Sequence, residues 1–161
     1  MLTTSYTLSA TTPLPFTDAV ERVRAELKTE GFGVLCEIDV QATLREKLGE
    51  EIEPYLILGA CNPPLAHRAL EAEPDLGVLL PCNVVVYQRG GETQISAIDP
   101  ERMLSIVDND ELAPVAAEVK TRLGAVVERA ATRELPAAQT VADAFSTTRK
   151  IATPIRRSAK S

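Results

Sequence analysis

The stretch Tyr55-Leu56-Ile57-Leu58-Gly59-Ala60-Cys61-Asn62-Pro63-Pro64 changes character at Asn62. Before it, residues 55–60 are apolar at almost every position, the pattern of a strand buried on both faces. After it, Asn62 has the chemistry of a helix cap, and Pro63 and Pro64 fall in the first turn, where a missing N–H costs nothing. Leu65, Ala66, Ala69 and Leu70 recur at helical spacing as a buried stripe, and Pro74 ends the helix. A second Cys-Asn pair follows in Leu80-Pro81-Cys82-Asn83. It lies in an apolar run, 76–87, where Pro81 demands a bulge or an edge position.

Working outward, Arg89-Gly90-Gly91-Glu92 reads as a hairpin turn and Thr93–Ile98 as the returning strand. Asp99-Pro100 starts a helix by cap and proline. A last helix spans about 111–133, with Leu112, Val115, Val119, Leu123 and Val126 inward. Toward the N-terminus, residues 33–40 alternate, with Val34, Cys36, Ile38 and Val40 on the side expected to be buried. Residues 42–48 form a short helical turn closed by Gly49. An earlier helix carries Phe16, Val20, Val23 and Leu27 inward; Thr17 or Asp18 is its expected cap and Gly31 its end. Residues 2–8 form an opening strand, and 11–15 read as a loop. Hairpins mixed with helices predict an α+β fold, an antiparallel sheet with helices on one side. We expect one domain over 1–133, then a flexible or partly helical basic tail over 134–161.

Hydrophobic residues make up 45% of the 161, but aromatics only 4%, with no Trp. The core must be Val, Leu, Ile and Ala, and a base-stacking surface for single-stranded nucleic acid is not expected. Net charge is -6, unevenly spread. Residues 1–133 carry 12 basic and 21 acidic side chains; residues 134–161 carry 5 and 2. An acidic body is repelled by phosphate backbones, so no nucleic-acid partner is expected. No apolar segment approaches the ~20 residues of a membrane span, and the N-terminus does not read as a signal peptide, so no membrane partner is expected. Three cysteines are an odd number and point to free thiols in a reducing, cytoplasmic setting.

The chemistry concentrates at Cys61 and Cys82. A thiol at a helix start is expected to have a lowered pKa, because N–H groups and the helix dipole favour the thiolate. If the two strands are neighbours, both thiols face one pocket, as a soft-metal or redox dithiol or with Cys61 as a nucleophile. The alternative is that each packs as a small hydrophobe. Twenty intervening residues match no zinc pattern. His67, the single histidine, completes a Cys/His set by composition. At ~100° per residue it points roughly 130° from the apolar stripe, as a surface residue beside Glu71 would. Asn62 and Asn83 offer amides to a polar ligand; for Asn62 simple capping competes with that role, while Asn83 has no obvious local task. There is no phosphate loop, Ser-centred elbow or His-x-x-x-His, and no cofactor is identified.

Several of these segments together resemble a known family. Gly31-Phe32-Gly33-Val34-Leu35, Glu37-Ile38-Asp39-Val40, the stretch from Tyr55 to Pro63, Ala66-His67-Arg68-Ala69-Leu70 and Leu79-Leu80-Pro81-Cys82-Asn83-Val84-Val85-Val86-Tyr87 are similar to the domain of unknown function 302 family, over roughly residues 3–130. The resemblance implies a small, usually dimeric α+β domain, similar to the TATA-box-binding-protein-like fold (β-α-β4-α type), in bacteria and archaea. It implies no activity. Cys36 departs from the family pattern and is left out of the site. The expectation is a homodimer that binds a small ligand or soft metal near Cys61, Asn62, Cys82, Asn83 and His67, with Cys61 and Cys82 as metal ligands. The alternatives are an interaction module without a ligand, and an enzyme with Cys61 as nucleophile.

Overall fold

The computed structural model describes residues 2–132; the tail expected over 134–161 lies outside them. Six strands form one sheet in the order β1-β2-β6-β5-β4-β3. They are β1 (Leu2–Thr3), β2 (Thr7–Thr12), β3 (Gly33–Asp39), β4 (Tyr55–Cys61), β5 (Cys82–Arg89) and β6 (Glu92–Ile98). Every pairing is antiparallel. The helices are α1 (Phe16–Thr29), α2 (Val40–Leu48), α3 (Pro63–Ala72), α4 (Pro100–Leu104) and α5 (Ala113–Ala131). Short 3-10 turns occupy Pro74–Leu79 and Asp110–Leu112. After β2 the chain crosses through α1 to the far edge of the sheet, then returns strand by strand until β6 pairs with β2. The α+β class and the antiparallel sheet are as the sequence predicts.

The core lies between one sheet face and the pair α1 and α5, which pack on each other. Leu58, Val84, Val86, Ile95 and Ala97 are fully buried from the sheet side. Val23 and Leu27 of α1 meet them with Leu123, Val126 and Val127 of α5. The alternation is that of a sheet covered once: Cys82, Val84 and Val86 are buried, while Asn83 is exposed and Val85 half-buried on the other face. Helix α1 ends as its glycine predicts. Gly31 takes φ +80°, its N–H reaches Lys28 O and the N–H of Phe32 reaches Leu27 O, closing the helix with a left-handed cap. The hairpin turn is also as expected, with Gly90 and Gly91 both at positive φ and the Glu53 carboxylate accepting from both N–H groups.

Several local expectations fail for identifiable reasons. The expected opening strand 2–8 is two strands, and Thr11 and Thr12, expected in a loop, belong to β2 and pair with Gln94 and Thr93, so that β2 ends directly before Pro13. Neither Thr17 nor Asp18 caps α1; the helix starts after Pro15, whose fixed φ suits a helix entry, with no side-chain cap. Strand β3 is not half-buried. It is the outer edge, a bulge falls between Val34 and Cys36, and Leu35 and Ile38 are exposed. Strand β4 is second from that edge, covered by helices on one face only. Leu70 also lies outside the buried stripe of α3, which comprises Leu65 and Ala69.

Candidate functional site

Cys61 ends β4 and Cys82 opens β5, and Ala60 is the register partner of Cys82. The neighbouring-strand condition is therefore met, and both cysteines line one cavity of about 40 Å³. Its walls are apolar: Phe32, Leu65, Leu76, Pro81, Met103 and Val119 among them. This volume holds one or two water-sized atoms; benzene needs a cavity of about 150 Å³. The space accommodates a single ion and excludes an organic ligand of ordinary size.

The electrostatics run against the sequence expectation. Burial pushes the Cys61 thiol up, not down. Cys82 is pushed up to about 11, first by burial and then by the Cys61 thiolate charge nearby. Desolvation of the sulfur outweighs the helix-start effect, which falls off within the first turn. At neutral pH both side chains are thiols, so Cys61 lacks the activation that a nucleophile needs. All three cysteines are free. Among the described residues, no group of three or more His, Cys, Asp or Glu side chains could hold a metal ion.

Asn62 sits with these cysteines, and its amide is already occupied. Its Oδ1 accepts from Leu65 N at 3.4 Å, capping α3, and its Nδ2 donates to Glu30 O at 3.4 Å. The same carbonyl accepts from Arg122 of α5 at 3.2 Å. Asn62 thereby ties the start of α3 to the end of α1, and the capping reading holds. His67 is elsewhere, exposed on α3 and 3.4 Å from Glu71 one turn on. Asn83 is separate too, on the sheet face away from the helices, beside Tyr55, Val85, Tyr87 and Ser96. Of the five expected site residues, the structure brings together Cys61, Asn62 and Cys82.

Two features escaped sequence reasoning. The first is Cys36. It pairs with Gly59, so the three cysteines stand on adjacent strands within two residues of one point on β4. A Cβ added to Gly59 would lie 2.5 Å from Cys36 Sγ and 2.8 Å from Pro81 Cγ. The signal was the glycine itself, since a glycine inside an apolar strand marks close approach by a neighbour. The second is the uncovered sheet face. Tyr55 and Tyr87 are register partners whose rings stack at 5.2 Å and 19°. Ile57, Val85 and Ile98 share that face, half-buried, and Thr7, Ser9 and Ser96 border it. Ser9 and Ser96 hydroxyls are 2.8 Å apart across β2 and β6.

No helix among the described residues is long and apolar enough to cross a membrane. No curated protein matches the chain. A family model, "Domain of unknown function DUF302", matches residues 8–130. The crystal structure of an uncharacterised conserved DUF302 protein from Bacillus stearothermophilus is similar at 34% identity and a TM-score of 0.75. That match covers 79% of this chain and 99% of the other. The matched residues run from the second residue of β2 through almost all of α5 and include the cysteine-bearing strand ends, and the chain belongs to the DUF302 family.

Proposed function

We propose that this domain is a homodimeric interaction module that associates through the uncovered face of its sheet. The observation that carries this reading is the composition of that face. The Tyr55–Tyr87 stack, Ile57 and Val85 form an apolar centre, and Thr7, Ser9, Asn83, Gln94 and Ser96 form an uncharged polar rim. Charged side chains on this side, Arg89 and Glu92, are confined to the hairpin end. A body with nine more acidic than basic residues repels its own copies, so a contact surface whose centre is free of carboxylates is what self-association needs. Strands about 4.8 Å apart and 6–8 residues long make a face of about 500 Å² in projection. With side-chain relief this approaches the ~800 Å² that each partner gives to a standard interface. Two such faces meet symmetrically, as in sheet-on-sheet packing. Free thiols fit a reducing compartment, so the cytoplasm is part of this reading.

A second reading rests on a different observation, that Cys61 and Cys82 line one ion-sized cavity. Two thiols beside an Asn62 amide already engaged with Leu65 and Glu30 suit a soft monovalent ion held by two sulfurs. Both thiols must lose protons to bind, so this affinity would rise steeply with pH. Native mass spectrometry under reducing conditions tests both readings. A dimer mass supports the module. An added metal mass that is lost in Cys61→Ala/Cys82→Ala supports the second reading. A monomer at tens of micromolar contradicts the first, and an unmetallated chain after copper(I) addition contradicts the second.

A further inference from the structure

A groove of about 620 Å³ runs between α4, the segment 105–110 and the start of α5. Its floor is apolar: Leu104, Leu112 and Ala116 are buried there. Ile106 stands at its side, 75% exposed, with no packing partner in the core. Its rim carries Glu101, Asp108 and Asp110, and no basic residue lines it. Lys120 answers Glu101, but it also pairs with Asp99 at 2.9 Å, leaving the aspartates of the rim as surplus negative charge.

The sequence after α5 has the opposite character. Residues 134–161 hold five basic and two acidic side chains, and four of the basic ones fall in two clusters that each carry an isoleucine: Arg149-Lys150-Ile151 and Ile155-Arg156-Arg157. An isoleucine flanked by paired cations complements an apolar floor with an acidic rim. The distances agree. The groove lies at the first turn of α5 and the chain leaves its last, about 27 Å away at 1.5 Å per residue. The sixteen residue steps from 133 to 149 span at most ~55 Å, so the basic clusters fall within reach. The tethered segment is present at millimolar effective concentration, far above that of a second chain. The segment lies outside residues 8–130, which match the family model.

We propose that segment 149–157 of this chain docks into the groove between α4 and α5, covering Ile106 and neutralising Asp108 and Asp110. Zero-length carbodiimide crosslinking of the full chain, with a 14N/15N mixture of copies, tests it. The expected result is a linkage from Lys150 to Asp108 or Asp110 within single copies, falling about tenfold between 50 mM and 0.5 M salt as screening shortens to a few ångströms. Asp108→Asn/Asp110→Asn should remove it. So should Arg149→Gln/Arg156→Gln/Arg157→Gln, which leaves the folded domain and the reactive lysine intact. Linkage spread evenly over surface carboxylates, or found only between differently labelled copies, overturns the proposal. So does linkage that survives the arginine substitutions.

Discussion

Gly59 sets how closely β3 and the Pro81 segment approach β4. Its missing Cβ leaves room for Cys36 Sγ and Pro81 Cγ. The proline ring cannot rotate away, so Gly59→Ala should destabilise the domain by about 1–3 kcal/mol, measured by urea unfolding, and Cys36→Ala should restore only part of it. Asn62 is 7% exposed and bonds both α3 and the end of α1. Asn62→Ala should cost about 1–2 kcal/mol, while Asn62→Asp should keep the cap and lose the bond to Glu30. Cys82 shows its environment through pH. Its thiol is held to about 11 against an ordinary 9.0. The unfolded chain loses that proton first, so stability falls as pH rises from 9 toward 11, by about 2–3 kcal/mol in all. Cys82→Ala should flatten that slope, and alkylation at pH 8 should label exposed Cys36 well before Cys82.

At the level of elements, the strongest sequence signals were those in which one residue type has one structural use. Gly49 ends α2 at φ +69°, as the sequence indicates. Asp99 caps α4 from a nearly buried position, receiving Lys120 of α5 at 2.9 Å, which fixes α4 on α5. These positions were legible because caps and left-handed glycines act locally. Strand β3 was not, because alternation in a strand says that two faces differ, not that a helix covers one. Whether Ile38 is buried depends on β3 being an edge, which is a property of pairing. The thiol chemistry was misread for a similar reason. A helix start is visible in Asn62-Pro63-Pro64, but the desolvation that outweighs it comes from walls contributed by distant elements, such as Met103 and Val119.

For the whole molecule, the layered arrangement divides the surface into unlike sides. The helix side is charged and laced with ion pairs, such as Arg129 with Glu26 and Glu30, each at 2.6 Å, which join α1 to α5. The sheet side is uncharged at its centre and covered by nothing within the described chain. Asn83, read from sequence as a companion to Cys82, belongs to this side because adjacent residues of a strand face opposite ways. Its place there sets it apart from the cavity that the thiols line. The measurement that bears most directly on this account is the sedimentation equilibrium of the wild-type chain beside Val85→Lys. The account predicts a dimer for the wild type and a folded monomer for the variant, since a lysine at the centre of the face would be buried against its own symmetry mate. A wild-type monomer, or a dimer that Val85→Lys leaves unchanged, would contradict it.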